Sequence, residues 1–255
     1  MLEGMPFLKG VTFMSDRSEL ILRGFSIDWS EVEEDSYVRE IEAIRDLDSL
    51  TFHSPITFFV GENGSGKSTL LEAIAVAAGF NPEGGTRNYS FATRNSHSDL
   101  YQAIRLVRSS RKIGWGYFLR AESFYNVATA EEAYSQGPGG RPQHFHERSH
   151  GESFLAVAQR YFQGNGLYFL DEPEAALSPQ RQLTLLMEIH QCMQDGGQFI
   201  IVTHSPILLG MPNAEILTFD EGTIHPCEYE DTDSYKVTST FINSREMFLH
   251  RLFEE

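Results

Sequence analysis

The chain has 255 residues, 41% of them hydrophobic, and a formal net charge of −16. That length and apolar content supply one sizeable α/β core, and the acidic balance argues against broad attraction to nucleic acid or anionic membranes, which Lys and Arg drive. No apolar run approaches the ~20 residues of a membrane helix, and Met1 to Gly10 lacks a signal peptide's basic start, so a cytoplasmic protein without membrane insertion is expected.

In chain order, Phe7 to Met14 and Glu19 to Phe25 read as two N-terminal strands, followed by an acidic stretch from Asp28 to Ile41. Ile56, Thr57, Phe58, Phe59 and Val60 then form an apolar run of the kind that becomes a fully buried strand. Gly61, Glu62, Asn63, Gly64, Ser65, Gly66, Lys67, Ser68 and Thr69 follow as a complete G-x-x-x-x-G-K-S-T loop. Behind it, Leu70, Leu71, Ile74, Ala75 and Ala78 recur at helical spacing, with Gly79 placed to end the helix.

A strand, a glycine-rich loop and a helix N-terminus in this order suit a triphosphate. Backbone N–H groups curl around the anion, and the helix dipole points at it. Lys67 is expected to reach the β- and γ-phosphates, and Ser68 to offer its hydroxyl to Mg²⁺, which takes hard oxygen ligands. No N-K-x-D base-reading motif accompanies the loop, which favours ATP over a guanine nucleotide.

From Thr86 to Ala121 the chain is basic, with Arg87, Arg94, Arg105, Arg108, Arg111, Lys112 and Arg120 against Asp99 alone. Leu100, Ile104 and Val107 suggest a short amphipathic helix here, with Arg105, Arg108 and Lys112 on its other face. That face is read either as solvated and paired with the acids between Asp28 and Asp48, or as a docking surface for an acidic partner or a nucleic acid. The break at Gly137, Pro138, Gly139 and Gly140 completes a stretch expected to be a small helical lobe with long loops.

From Ser149 the pattern tightens into alternating helix and strand, which builds a parallel sheet with helices on its faces. Leu167, Tyr168, Phe169 and Leu170 make a strand ending in Asp171 and Glu172. Asp171 is placed to hold Mg²⁺, and Glu172 is the candidate general base that would activate water for in-line attack on the γ-phosphate. Ser178 with Pro179, and Ser205 with Pro206, are helix-start signatures. Between them, Gln198 to Thr203 form another buried strand, directly followed by His204, the candidate γ-phosphate contact. Ala214 to Asp220 and Thr223 to Glu228 read as a terminal hairpin, and Ser234 onward as a closing helix.

Cys192 and Cys227 are the only cysteines and show no metal-like spacing. His144, His146 and His150 make a poor zinc set, with no cysteine nearby and a Gly- and Pro-rich approach.

Taken together, Ile56 to Pro206 resembles the ABC-type ATPases, and the strings around Phe59 to Gly85, Arg120 to Ala128 and Ser149 to Pro206 resemble more narrowly the stand-alone RecF-like bacterial ATPases labelled AAA. Ser149, His150, Gly151 and Glu152 resemble a degenerate signature motif L-S-G-G-Q, Glu174 to Ser178 a D-loop, and His204 a switch histidine. The resemblance implies an α/β P-loop NTPase fold with a mostly parallel central sheet, N-terminal antiparallel strands and a small helical lobe. A single domain spanning 1–255 is expected, with 1–80 and 150–255 as the nucleotide-binding core and 81–149 as the lobe. It implies a Mg²⁺-dependent ATPase that forms a homodimer around ATP, each loop completed by Ser149 and Gly151 of the other subunit, and that signals to an unidentified protein partner.

The alternatives are a slow, nucleotide-gated switch in DNA repair or phage defence, or a transporter ATP-binding subunit. A Q-loop glutamine is missing, with Glu122 or Arg120 as substitutes, and the adenine-stacking aromatic is Tyr37, Trp29 or neither.

Overall fold

The computed structural model describes residues 20–87, 98–120 and 150–253, with backbone only at 150 and 151. Strands β1 (Leu22–Ile27), β2 (Ser49–Thr51) and β5 (Ile104–Arg108) form an antiparallel sheet in the order β2-β1-β5. The larger sheet runs β10 (His225–Pro226), β9 (Glu215–Thr218), β3 (Ile56–Val60), β8 (Gln198–Val202), β7 (Gly166–Asp171), β6 (Trp115–Arg120) and β4 (Gly85–Thr86). Its central five strands are parallel, and only the edge pairs β10 with β9 and β4 with β6 are antiparallel. This is the α/β class with a mostly parallel sheet that the sequence predicts.

Every residue of β3, β7 and β8 is buried, as expected of strands covered on both faces. Alternate residues serve opposite sides. Phe59, Phe169, Ile200 and Val202 pack with α2 (Lys67–Ala77) and the antiparallel sheet, while Phe58, Tyr168, Leu170 and Ile201 pack with α4 (His150–Tyr161), α5 (Pro179–Gln194) and α6 (Pro206–Leu209). Ser178 caps α5 by accepting the Arg181 N–H, and Ser205 caps α6, as their sequence signatures foretell. Gln198 ties the two sheets together: its Oε1 accepts the Leu22 N–H at 2.9 Å, and its Nε2 donates to the Leu22 carbonyl at 2.7 Å.

The parallel register has one consequence for function. Phe59 pairs with Val202, Val202 with Asp171, and Asp171 with Arg120, so β3, β8, β7 and β6 finish in one row. The loop after β3, Glu172 after β7, His204 after β8 and the end of β6 therefore emerge on one edge, the carboxyl edge where open α/β sheets take their ligands.

Several expectations need correction. The helix predicted through Leu100, Ile104 and Val107 is a single turn, α3 (Leu100–Ala103), followed by β5. Spacing alone fitted a helix, but β-branched Ile104 and Val107 suit a strand, and pairing with β1 decides the matter. Ile104 is thereby buried and Val107 exposed. Residues 115–120, expected within the lobe, are likewise a strand of the main sheet.

The acidic stretch forms short 3-10 turns at Trp29–Glu31 and Tyr37–Glu40 and a one-turn helix, α1 (Glu42–Arg45). The terminal hairpin is present but shorter than predicted, and the closing helix is two, α7 (Asp233–Asn243) and α8 (Arg245–Phe253), broken at Ser244. The strand expected at Phe7 to Met14 lies outside the described residues, as do Arg94, Gly137 to Gly140, His144 and His146. No helix among the described residues is long and apolar enough to cross a membrane.

Replacing Gln198 by Met keeps the volume but leaves the Leu22 N–H and carbonyl buried without partners. Urea unfolding is expected to show a loss of about 2–4 kcal/mol, and a loss below about 0.5 kcal/mol would contradict the tie between the sheets.

Candidate nucleotide site

The loop from Gly61 to Gly66 hangs between β3 and α2 and is held from two sides. Asp220, just past β9, accepts the Glu62 N–H at 3.0 Å and is itself fixed by the Thr218 hydroxyl at 2.7 Å. Beneath it, Gly66 adopts a φ of +98°, and a Cβ there would come within 2.6 Å of Ile41 and 2.8 Å of Ile44, so only glycine fits. The acidic stretch thus supplies an apolar floor to the loop through Ile41 and α1. Sequence reasoning missed this floor and Asp220 alike; the one signal was Thr218-x-Asp220 at a strand end, a common local hydrogen-bond pattern.

Lys67 opens α2 and is 4% exposed. Its Nζ donates to the carbonyls of Gly61 at 2.7 Å and Glu62 at 2.6 Å, curling over the loop where a phosphate chain would thread. Burial lowers the Lys67 pKa, while the carboxylates of Glu172, Asp220 and Asp171 act the other way. One residue on, the Ser68 hydroxyl donates to Asp171 Oδ1 at 2.8 Å, joining the helix start to the end of β7. The pair is an oxygen-only donor set beside a phosphate loop, which fits Mg²⁺. Thr69 sits half-buried in the same first turn.

Beyond Asp171 the backbone turns sharply. Glu172 has φ +49° and ψ +52°, a left-handed conformation that costs a non-glycine residue about 1 kcal/mol or more. Its N–H donates to the Val202 carbonyl at 3.0 Å, and its carboxylate stands 3.9 Å from His204 Nε2. That nitrogen is shielded from solvent and has no hydrogen-bond partner among the described residues. His204 is held by its backbone: its N–H donates to Glu174 Oε1 at 2.6 Å. Glu174 belongs to the 3-10 turn Pro173–Ala176, and burial raises its pKa, with the hydrogen bonds from His204 and Thr203 working against that shift.

Of the predicted site residues, the structure therefore gathers Gly61 to Thr69, Asp171, Glu172 and His204 on one edge. Gly151 lies in the first turn of α4, and Ser149 stands outside the described residues. Glu152, also in the first turn of α4, accepts from Arg181 at 3.0 Å. Arg120 ends β6 beside Asp171, whereas Glu122 lies outside the described residues.

Trp29 is committed to packing, with its Nε1 donating to Leu47 and the Arg39 guanidinium 5.4 Å from its ring. Tyr37 is 54% exposed and, with Ile41, Asn63, Gly64 and Ser65, lines a cleft of about 710 Å³ against the loop. Among the described residues the basic island is dispersed. Arg105 lies 4.0 Å from both Asp28 and Glu31, as one of its two readings anticipated, while Arg108 reaches the Ala77 carbonyl and Arg111 reaches Asn165.

A glycine-rich loop at a helix N-terminus, a strand-end aspartate bonded to the loop serine, and a mostly parallel sheet are the features of a P-loop protein, similar to ATPases of the ABC and AAA types. Comparison with known families agrees. Residues 37–136 match a family model described as "AAA domain", and residues 138–210 one described as "AAA domain, putative AbiEii toxin, Type IV TA system".

No curated protein matches the chain significantly. Solved structures that resemble it include an SMC head domain from Thermotoga maritima, with 16% identity over 82% of this chain and 100% of that one and a TM-score of 0.44. An ATP-binding cassette of an ABC transporter shares 15% identity over 88% of this chain and 97% of the other, with a TM-score of 0.45. A chain from a transporter described as metal-chelate ABC type, in an inward-facing conformation, shares 16% identity over 82% and 84%, with a TM-score of 0.46.

Because burial raises the Glu174 pKa, the folded chain keeps that proton to higher pH than the unfolded chain. The stability this gives is fully present below the ordinary glutamate value near ~4.3 and is lost as pH rises through the folded value. The melting temperature of Glu174→Gln relative to wild type is therefore expected to be flat below about pH 4 and to climb toward pH 7. A relative melting temperature that falls over that interval would contradict the assignment.

Proposed function

We propose that the chain binds and hydrolyses Mg·ATP, and dimerises around it so that nucleotide state is passed to a protein partner. The observation that carries this reading is the Ser68 hydroxyl bonded to Asp171 beside the curled Lys67, with Glu172 and His204 3.9 Å apart at the adjoining strand ends. Lys67 would exchange its loop carbonyls for the β- and γ-phosphate oxygens. Ser68 and Asp171 would hold the metal, which supplies charge neutralisation on the phosphates.

Glu172 would accept the proton of the attacking water, and the strained backbone that presents it fixes its aim. His204, with an unclaimed nitrogen beside that carboxylate, would contact the γ-phosphate. Tyr37 is the better placed of the two aromatics to meet the base, since it lines the cleft against the loop while Trp29 is occupied.

Dimerisation is the part drawn from resemblance: Ser149 and Gly151 of a second copy would close over the phosphates held by the first. A slow switch in repair or phage defence is the second reading, and the toxin–antitoxin description of the model matching residues 138–210 favours defence within it. A transporter subunit is the weaker form of the alternative, because Arg120 and the residues after it replace the glutamine-bearing loop of that class.

Phosphate release from ATP with Mg²⁺ tests the reading. Lys67→Ala is expected to lose nucleotide binding. Glu172→Gln is expected to keep ATP, to release phosphate at least about 100-fold more slowly, and to elute as a dimer with ATP on size-exclusion chromatography. Label from γ-phosphate appearing on a small molecule would favour a kinase instead, and a Glu172→Gln protein that stays monomeric with ATP would count against the dimer.

A further inference from the structure

Arg120 has no place in the scheme so far, yet it stands against the metal pair. Its Cα is the register partner of Asp171, and its Nε is 3.7 Å from Asp171 Oδ2, the oxygen that Ser68 does not use. Its Nη1 donates to Glu72 Oε2 and, at 3.3 Å, to the Pro82 carbonyl. Ser68 and Glu72 lie four residues apart on α2 and so share one face of the helix. Ser68, Asp171, Arg120 and Glu72 therefore close a ring that starts and ends on the helix following the phosphate loop. The three charged side chains are 10%, 21% and 13% exposed for Asp171, Arg120 and Glu72, so solvent screens them little.

We propose that Arg120 is a resident cation of the nucleotide site, which competes with the divalent metal for Asp171 and withdraws to Glu72 when the metal binds. The proposal rests on the Mg·ATP reading above. A metal ion held by Ser68 and Asp171 would be a second positive centre beside a guanidinium that already faces the same carboxylate, and like charges this close in a shielded site repel.

Glu72 makes withdrawal cheap. It already shares the guanidinium, so Arg120 can leave Asp171 without becoming an unpaired buried charge. Were Arg120 only a structural clamp between β6, β7 and α2, its removal would lower stability and leave metal affinity where it was.

The two partners predict opposite signs. Mn²⁺ serves as the probe, titrated by electron paramagnetic resonance into the full-length protein with a non-hydrolysable ATP analogue. Arg120→Met removes the competing cation without adding a ligand, and is expected to tighten Mn²⁺ binding about fivefold or more. Glu72→Gln removes the carboxylate that would receive the withdrawn guanidinium and is expected to weaken Mn²⁺ binding; Arg120→Lys keeps the charge and is expected to stay near wild type.

Unchanged or weaker binding in Arg120→Met, or tighter binding in Glu72→Gln, would overturn the proposal while leaving the Mg·ATP reading intact. Should Arg120→Met fail to fold, the sign in Glu72→Gln decides. A wild-type protein that takes up neither Mn²⁺ nor the analogue would overturn both.

Discussion

The registration of four parallel strands is the constraint on which the rest depends. Phe59, Val202, Asp171 and Arg120 stand side by side across β3, β8, β7 and β6, so each strand delivers its next residue to the same edge. Slipping one strand by a residue would send Asp171 to the opposite face and put its neighbour beside Ser68. The register is fixed by burial: both faces of these strands are covered, and an apolar set that leaves one core must enter the other. Gln198 adds a polar fix by gripping both backbone groups of Leu22, which anchors the antiparallel sheet over the start of β8.

Charge is then distributed along that edge in a way that only the folded chain can arrange. Lys67 is the buried cation nearest the loop, and it satisfies itself on the carbonyls of Gly61 and Glu62. Asp220 clamps the loop backbone from β9, and Asp171 is shared between the Ser68 hydroxyl and the Arg120 guanidinium. A chain with a formal charge of −16 thus concentrates two of its cations where a polyanion would bind, against carboxylates that hold them in place. Among the described residues the basic island does not extend this concentration into one patch, since Arg105, Arg108 and Arg111 spend their donors on separate parts of the fold.

The phosphate loop, the two buried strands after it and the proline-marked starts of α5 and α6 were legible because each is a local pattern with a local cause. Glycines, β-branched runs and Ser-Pro caps act within a few residues. The stretch from Leu100 to Arg108 was misread because its apolar spacing fits a helix, while the strand it adopts is dictated by β1, some eighty residues earlier in the chain. The same limit hid Asp220, Glu72 and the floor made by Ile41 and Ile44, whose partners are distant in sequence. In the sequence Arg120 stands out as one of the basic island and as a substitute for a missing glutamine; its pairing with Asp171 follows from strand register, which no single segment encodes. The left-handed backbone at Glu172 was equally invisible, since nothing about a glutamate before a proline announces it.

We read this edge of the sheet as a Mg·ATP site organised by Lys67, Ser68 and Asp171. A crystal structure with Mg²⁺ and a non-hydrolysable ATP analogue tests it most directly. Lys67 Nζ is expected to leave the Gly61 and Glu62 carbonyls for the terminal phosphates, with the metal between Ser68 and Asp171. Nucleotide bound elsewhere, with Lys67 still curled on its own loop, would contradict it.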